Sequence, residues 1–372
     1  MGYIAKETGP KKNDNPRILI VGAGAIGRGF VSNIFQKAGF SISFVENNQT
    51  IYSELSKKRS FQTATTDSKR HFLHTVYYNE VYKTIDDCNI SKYDLVLIAV
   101  GVNSCLDIAN RFKEAKIVYI LENDINIIQN IKQLSSNNQI YFGIPDVITS
   151  NTASNNLLSI DPLCVVSEQG QLILEKSSYQ FPTSQYINIV NKQELWTNWN
   201  CKFYIHNAPH AIIAYLGFQK KYAYIHQAMA DQTIENVVID AMTSISKALI
   251  RLNIIPEKIA DDYMKKEIKR FRNPLLFDPI SRVARDPIRK LSSENRLIKG
   301  LSIIQKAGLN PIPFYIGINA ALKYTGCTDK KNSFNQMREN FFMKDLLINI
   351  CGIKDHKTLK QILDIQHCIE SE

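Results

Sequence analysis

No uninterrupted apolar stretch of this chain is long enough to span a bilayer, which takes about 20 residues, so a membrane-embedded protein is not expected. Cysteine never occurs as a CxxC pair: its seven copies stand at 88, 105, 164, 201, 327, 351 and 368. An odd count without framework spacing argues against a disulfide scaffold and predicts reduced thiols in a cytoplasmic protein. Acidic residues are outnumbered, 35 Asp and Glu against 45 Lys and Arg. A basic surface favours nucleic acid, an acidic membrane or a phosphorylated small molecule as partner. The chain has no aromatic-basic interleaving and no zinc-finger spacing, which removes support for nucleic acid. The segment Met1 to Asn15 lacks an apolar run of signal-peptide type, and residues 1–16 read as a flexible tail. Its Lys11-Lys12 pair reads as solvated.

What is present is a globular composition, 44 % hydrophobic and 22 % charged, in 372 residues, too many for one simple core. Ile18 to Val21 is a continuous apolar run of buried-strand type. Helical composition follows over Phe30 to Ala38, closed by Gly39. Strands are expected at Ser41–Val45, Asp94–Val100 and Ile117–Leu121, and less regularly at Leu163–Val166 and Gln171–Leu174, with a polar loop over Asn151–Leu158. Long amphipathic stretches then dominate, including Thr233–Leu252 and Pro256–Phe271. The expected fold is α/β: a Rossmann-type doubly wound parallel sheet over 17–195, then a mostly α-helical part over 196–372.

Gly22-Ala23-Gly24-Ala25-Ile26-Gly27 is a GxGxxG lying directly between the first strand and the first helix. The first glycine permits the tight turn, the second lets backbone approach a pyrophosphate, and the third lets helix pack on strand. The free N–H groups of the helix start favour the anion. Glu46 ends the second strand, where a carboxylate accepts hydrogen bonds from a ribose 2′-OH and repels a 2′-phosphate, so NAD is expected rather than NADP. Arg28 reads either as a phosphate contact or as a solvated helix residue.

Further along, Lys202, Asn207 and His210 stand in a Lys-x4-Asn-x2-His pattern. Asn207 reads as a helix N-cap, with Pro209 and His210 in the first turn and Lys202 just upstream. A lysine serves as acid/base when its surroundings lower its pKa from about 10.4 toward neutrality, and an asparagine amide stabilises a developing oxyanion.

The chain resembles the polyol-specific long-chain dehydrogenases, the mannitol dehydrogenase family. The matching segments are Gly22 to Phe30, Ala99-Val100-Gly101, Glu122-Asn123, Asp161-Pro162-Leu163, Asn207 to Gly217, Arg270 to Pro274 and Arg285 to Lys299. They keep their order from about residue 17 to 325. The resemblance implies direct hydride transfer to a nicotinamide without a metal. It implies Lys202 as acid/base, Asn123 and Asn207 on the alkoxide or carbonyl oxygen, and His210 orienting substrate hydroxyls. On the cofactor it implies Gly22, Gly24, Ala25, Ile26, Gly27, Glu46, Val100 and Gly101.

The basic run Arg282, Arg285, Arg289, Lys290, Arg296 and Lys299 is similar to the phosphate-handling branch of the family. That implies mannitol 1-phosphate and fructose 6-phosphate as the interconverted pair, and a monomer or weak homodimer. Arginine forks bind phosphate bidentately. Arg289 and Lys290, then Arg285 and Arg296, are the expected phosphate contacts. The rest are expected to be solvated or paired with Asp278, Asp286 and Glu294.

Two departures stand out: Val147 follows Asp146 where the family often has arginine, and Pro209 stands where a small glycine is usual. Four alternatives remain open at this point. They are another keto-sugar (a pentulose phosphate, a free ketose or a keto-uronate), a non-catalytic NAD-binding sensor, a metal site on His206 and His210, and nucleic-acid binding.

Overall fold

The apolar run at 18–21 is buried almost completely, with Ile18, Leu19 and Ile20 at zero exposure, and it forms the middle of a sheet. A computed structural model describes residues 15–150, 153–326 and 333–365. Residues 1–14 of the expected tail, with Lys11-Lys12, and Cys327 and Cys368 lie outside the described residues. Cys88, Cys105, Cys164, Cys201 and Cys351 are free thiols.

The described residues form twelve strands: β1 Arg17–Val21, β2 Ser41–Val45, β3 Ser60–Thr66, β4 His71–Tyr77, β5 Glu80–Tyr82, β6 Leu95–Ile98, β7 Val118–Ile120, β8 Ile140–Asp146, β9 Thr149–Ser150, β10 Val166–Glu168, β11 Gln171–Glu175 and β12 Ile187–Val190. Eight of them form one sheet in the order β12-β11-β8-β7-β6-β1-β2-β5. All neighbouring pairs in it are parallel except β8 and β11. From β1 the order runs to β2 on one side and to β6 on the other. The crevice at the carboxyl ends of β1 and β6 is therefore the topological switch point, where doubly wound sheets take their ligand.

A second sheet, β4-β3-β10-β9, was not foreseen. Its main strands read SFQTATT and HFLHTVY, threonine-rich and half polar, without the apolar run that marks a buried strand. The strand expected at 163–166 forms three residues later, as β10. The segment expected to be a loop at 151–158 contains a helix, Asn155–Ile160, whose N-cap Ser154 accepts from the Leu157 N–H; residues 151 and 152 lie outside the described residues.

The helical part is built on Gln232–Arg251 and Glu257–Phe271, close to the expected spans, and on a run that continues from Lys192 to Gln219. That run begins with a capping box, in which Asn191 and Glu194 satisfy each other's backbone N–H groups. Residue 195 lies inside it, so one helical run crosses from the first part of the chain into the second.

A buried ionic cluster ties the sheet to the helix Glu257–Phe271. Arg270 donates to Asp146 of β8 (3.0 Å), Glu168 of β10 (2.9 Å) and Glu267 of its own helix (2.6 Å). Its second terminal nitrogen takes the Asp146 backbone carbonyl at 2.7 Å. Asp146 also accepts from Tyr263 (3.0 Å) and Lys266 (2.7 Å). Breaking a buried cluster costs far more than breaking a surface pair, because charges are left behind without partners. Arg270→Ala should therefore lower unfolding stability by about 3–5 kcal/mol in urea titrations. Lys266→Ala, whose side chain is 39 % exposed, should cost less than about 1 kcal/mol.

Candidate active site

The three glycines of the loop differ in what a side chain there would meet. Gly22 has φ +97°, and a Cβ there would lie 2.5 Å from the Ala99 carbonyl oxygen. A Cβ on Gly27 would lie 2.1 Å from the Gly22 carbonyl oxygen, so strand and helix close on each other there. Gly24 is different: a Cβ would meet nothing within 4 Å, and the space above this turn is open. Ala25 and Ile26 continue the turn into the helix and are half-buried. Open room at the second glycine, where strand turns into helix, is the geometry expected of a pyrophosphate cradle. Glu46 is buried at the end of β2, where its carboxylate accepts the Asn48 N–H at 2.7 Å.

Arg28 takes neither role foreseen for it. It is buried and donates to the Ala23 carbonyl (2.5 Å) and to the Leu163 carbonyl, pinning the glycine loop to the Asp161-Pro162-Leu163 turn. Burial lowers its pKa, partly offset by Glu46 and Asp161. Sequence alone could not show this, because the acceptor lies 135 residues away.

Val100 and Gly101 form the turn after β6, beside the glycine loop. Gly101, at φ +94°, donates its N–H to Glu122 Oε1 at 2.7 Å. Glu122 and Asn123 line a cavity together with Phe142, Ile144 and Pro145 of β8 and with Trp199, Lys202, Phe203 and Asn207 of the helical run. Lys202, Asn123 and Asn207 are thus brought together, Asn123 being the most exposed of the three.

The local reason lies in the helix. Asn207 does not begin a helix, as its sequence context suggested. Residues Cys201–His206 are a π-helical stretch inside the run, and the Asn207 N–H bonds the Lys202 carbonyl, five residues back. In an α-helix the residues one turn from Lys202 would be at i+3 and i+4; in a π turn it is i+5. The spacing Lys-x4-Asn therefore puts both side chains on one face only because the helix widens here. Pro209 stands within the run, lacking the N–H a regular ladder needs, just past the widened turn.

Lys202 donates to the Pro145 carbonyl. Burial lowers its pKa to about 8, against the pull of Asp146. Asp146 itself is held well below the usual carboxylate range: burial raises it, but Arg270, Lys266 and Lys202 outweigh that. Across the cluster, burial pushes Glu168 up to about 7 and His206 down to about 4.

His210 does not line the cavity. Its Nε2 is 2.9 Å from Asp278, which also holds Arg282, and its ring stacks on Phe271 at 5.1 Å. His206 faces Glu267 at 2.5 Å. Each histidine thus spends a ring nitrogen on its own carboxylate. No cluster of three or more metal-ligand side chains is present among the described residues.

Pro287 separates Ile280–Ala284 from a short helix, Pro287–Leu291, so Arg285 lies outside both while Arg289 and Lys290 share the second. Arg289 is exposed, pairs with Asp286 at 2.5 Å, and acts electrostatically on Glu122. Lys290 is buried and donates to the Arg285 carbonyl. Arg296 is buried, bonds Asn295 Oδ1 at 3.1 Å, and has its guanidinium 6.0 Å from the centre of the Phe203 ring, a wall of the cavity. Burial, reinforced by Arg289, lowers Arg296 to about 9; burial with Arg296 and Arg289 drives Lys290 well below its usual range. Arg282 and Lys299 are paired with Asp278 and Glu294.

Residues 16–115 match the family model of the mannitol dehydrogenase Rossmann domain, and residues 198–368 that of the mannitol dehydrogenase C-terminal domain. A mannitol-1-phosphate 5-dehydrogenase of Caldanaerobacter subterraneus subsp. tengcongensis is 28 % identical, covering 94 % of this chain and 97 % of its own length. One from Exiguobacterium sp. is 29 % identical, with the same coverage of 94 % and 97 %. In solved structures, mannitol 2-dehydrogenase of Pseudomonas fluorescens, in a ternary complex with NAD and D-mannitol, superposes with a TM-score of 0.73 at 14 % identity, over 96 % of this chain and 92 % of that one. A D-sorbitol dehydrogenase gives 0.67 at 13 % identity, over 96 % and 93 %. At these identities the structural likeness speaks to the fold.

The open space at Gly24 and the crowding at Gly27 predict opposite outcomes. Gly24→Val should leave thermal stability unchanged and weaken NADH binding, read by fluorescence titration, by roughly ten-fold or more. Gly27→Val should lower the melting temperature.

Proposed function

This chain belongs to the mannitol dehydrogenase family, and we propose that, as an NAD-dependent polyol dehydrogenase, it interconverts mannitol 1-phosphate and fructose 6-phosphate. The observation that carries the chemistry is the convergence of Lys202, Asn123 and Asn207 on one cavity, beside the switch point of the sheet. NAD would be held by the backbone of Gly22, Gly24, Ala25, Ile26 and Gly27 at the pyrophosphate, by Glu46 at the ribose, and by Val100 and Gly101 on the nicotinamide side. Bound NADH supplies the hydride for ketose reduction, and NAD accepts it in polyol oxidation.

In reduction, Lys202 as an ammonium gives its proton to the oxygen of the C2 carbonyl while that carbon gains the hydride. In oxidation, Lys202 as a free amine takes the hydroxyl proton. Asn123 and Asn207 donate their amide N–H groups to the oxygen as its charge grows. The Pro145 carbonyl suits both states of the lysine, since it accepts an N–H from the amine and the ammonium alike. A carboxylate in that place would favour the ammonium. Asp146 is nearby, but its oxygens are engaged by Arg270, Lys266 and Tyr263. His210, fixed on Asp278 and outside the cavity lining, acts here as a residue that positions the helix, or reaches substrate hydroxyls only from behind that lining.

The phosphate assignment rests on charge. No salt bridge joins Arg285, Lys290 or Arg296 to a carboxylate among the described residues. A buried cation without a counter-charge is costly, and a phosphate dianion relieves that cost. Arg296 beside Phe203 is the strongest candidate, with Arg289, Lys290 and Arg285 around it. Arg289 would exchange Asp286 for the substrate.

Two measurements test this reading. NADH oxidation should occur with fructose 6-phosphate, should be far weaker with fructose or with NADPH, and should drop by roughly a hundred-fold or more in Lys202→Ala. Arg296→Met should raise KM for fructose 6-phosphate by about ten-fold or more without lowering the melting temperature, because the buried charge leaves with the side chain. Activity with NADH on free fructose equal to that on its 6-phosphate would sink the phosphate assignment. The pH dependence follows from a lysine near 8. Polyol oxidation needs the free amine, so kcat/KM should rise with pH and level off above about 8. Ketose reduction needs the ammonium and should fall through the same range.

A further inference from the structure

The cavity shared by Lys202, Asn123 and Asn207 has a volume of only about 10 Å³, room for no more than a single water. Small-molecule sites begin at roughly 300 Å³. A six-carbon chain does not fit inside it with the wall where it stands, even though Asn123 at its rim is exposed, and the wall residues differ in how firmly they are held.

Phe142, Ile144 and Pro145 belong to β8, which is paired along both edges. Phe142 is in register with Ile120 of β7, while Ile144 and Pro145 are in register with Ile173 and Leu172 of β11. Their backbone cannot shift without breaking ladder hydrogen bonds, and the Phe142 and Ile144 side chains are almost completely buried. Lys202 and Asn207 are tied by the π-turn hydrogen bond between them. Phe203 is backed by Tyr204, edge-on at 4.9 Å, and by the Arg296 guanidinium.

Trp199 is held otherwise. It stacks on Phe203 at 4.7 Å and 14°, meets Trp196 at 5.1 Å and 18°, and has Tyr204 edge-on at 6.4 Å, farther than Tyr204 lies from Phe203. Trp196 is 46 % exposed, while Trp199 is 7 % exposed. The outer neighbour of Trp199 is thus a side chain facing solvent. No hydrogen bond of the Trp199 indole is present among the described residues, so a change of rotamer breaks only stacking contacts, each worth about 1 kcal/mol.

We infer that Trp199 is the movable wall of the substrate cavity and a specificity-determining residue: it swings away from Phe203 to admit the substrate, whose carbon chain then runs from Phe203 along the Lys202–Asn207 edge and ends against the displaced indole. The inference rests on the proposed reaction for the identity of the substrate. The geometry also sets the direction of binding. Arg296 lies beyond Phe203, so the phosphate end points past Phe203 and the reacting carbon faces Lys202. The length of chain that fits is then fixed by the indole at the other end.

The chain has two tryptophans, 196 and 199. Trp196→Phe therefore leaves Trp199 as the sole indole reporter. Its emission is followed while fructose 6-phosphate is titrated into the NAD-loaded protein, and turnover with NADH is measured separately on the unaltered chain. A saturable change in emission, at concentrations matching KM, is the expected result. Turnover without any change in Trp199 emission overturns the inference.

If fructose 6-phosphate is not turned over, the proposed reaction fails, and the wall is judged on the free protein. A wall that opens lets acrylamide quench Trp199, whereas a fixed core indole is not quenched, and that outcome overturns it. The second variant addresses specificity. Trp199→Ala should raise kcat/KM for a seven-carbon ketose phosphate relative to the six-carbon one by at least ten-fold, with KM for NADH unchanged, and Trp199→Phe should lie between. A uniform loss for both sugars, with their ratio unchanged, would show Trp199 to be structural and overturn the specificity claim.

Discussion

The guanidinium of Arg270 is the constraint on which the rest depends. It is buried among Asp146, Glu168 and Glu267, which come from β8, β10 and the helix Glu257–Phe271. Mechanically, it fastens both sheets to the helical part at one point. Electrically, it occupies Asp146. That carboxylate is adjacent in sequence to Pro145, whose carbonyl receives Lys202. Were Asp146 free, it would bind the lysine as an ammonium and keep its pKa high. With Arg270, Lys266 and Tyr263 on Asp146, burial decides, and the lysine falls to about 8. A buried ionic cluster is seldom the most stable filling for a core. Here its charge pattern gives the neighbouring lysine access to both protonation states.

The helix geometry supplies the second half of the site. Lys202 and Asn207 lie one turn apart only in a π-helix, and the stretch that holds them is one. Phe203 lies in the widened turn and Trp199 just before it, and both face the same cavity as Lys202. One irregularity in one helical run therefore brings the proposed base, one proposed oxyanion donor and the aromatic wall together. The remaining donor, Asn123, arrives from the loop after β7, next to Glu122, which holds the turn at Gly101. The cofactor side and the substrate side thus meet through adjacent residues of one short loop.

Much of the first half was legible, because the signals there are local. An apolar run, a GxGxxG and an acid at the end of the next strand each act within a few residues of themselves. The glycines at 22 and 27 are required by contacts that any glycine-loop strand and helix would make. The second sheet was missed because its strands are polar and threonine-rich. The helix at 155–160 was missed because its residues are polar too, although Ser154 was a usable cap signal. The spacing Lys-x4-Asn was noticed, but it was read as a loop leading to an N-cap. Lys202 and Asn207 standing five apart, with Pro209 just after, was the available sign of a widened turn. The Arg270 cluster was only half in reach: 263, 266, 267 and 270 share one face of an expected helix, but nothing in the sequence joins that face to 146, 168 or 206. Arg28 was misread for the same reason.

The two departures from the family pattern can now be placed. Val147 is buried in the hydrophobic core under the sheet, against Gly170, where a Cβ would lie 2.2 Å from its Cγ1. It does not line the cavity. Pro209 is buried within the helical run and does not line it either. An arginine at 147 would need a carboxylate partner, and Asp146, its neighbour, is taken by Arg270. Arg270 belongs to a segment that matches the family, so its cluster does not account for the valine at 147, and nothing in the structure explains that departure. Lys202, Asn123 and Asn207, the residues proposed to face the reacting carbon, are as the family resemblance has them. A change of substrate relative to the family would then have to come from the residues that bound the cavity's length, chiefly the indole of Trp199, and not from either departure.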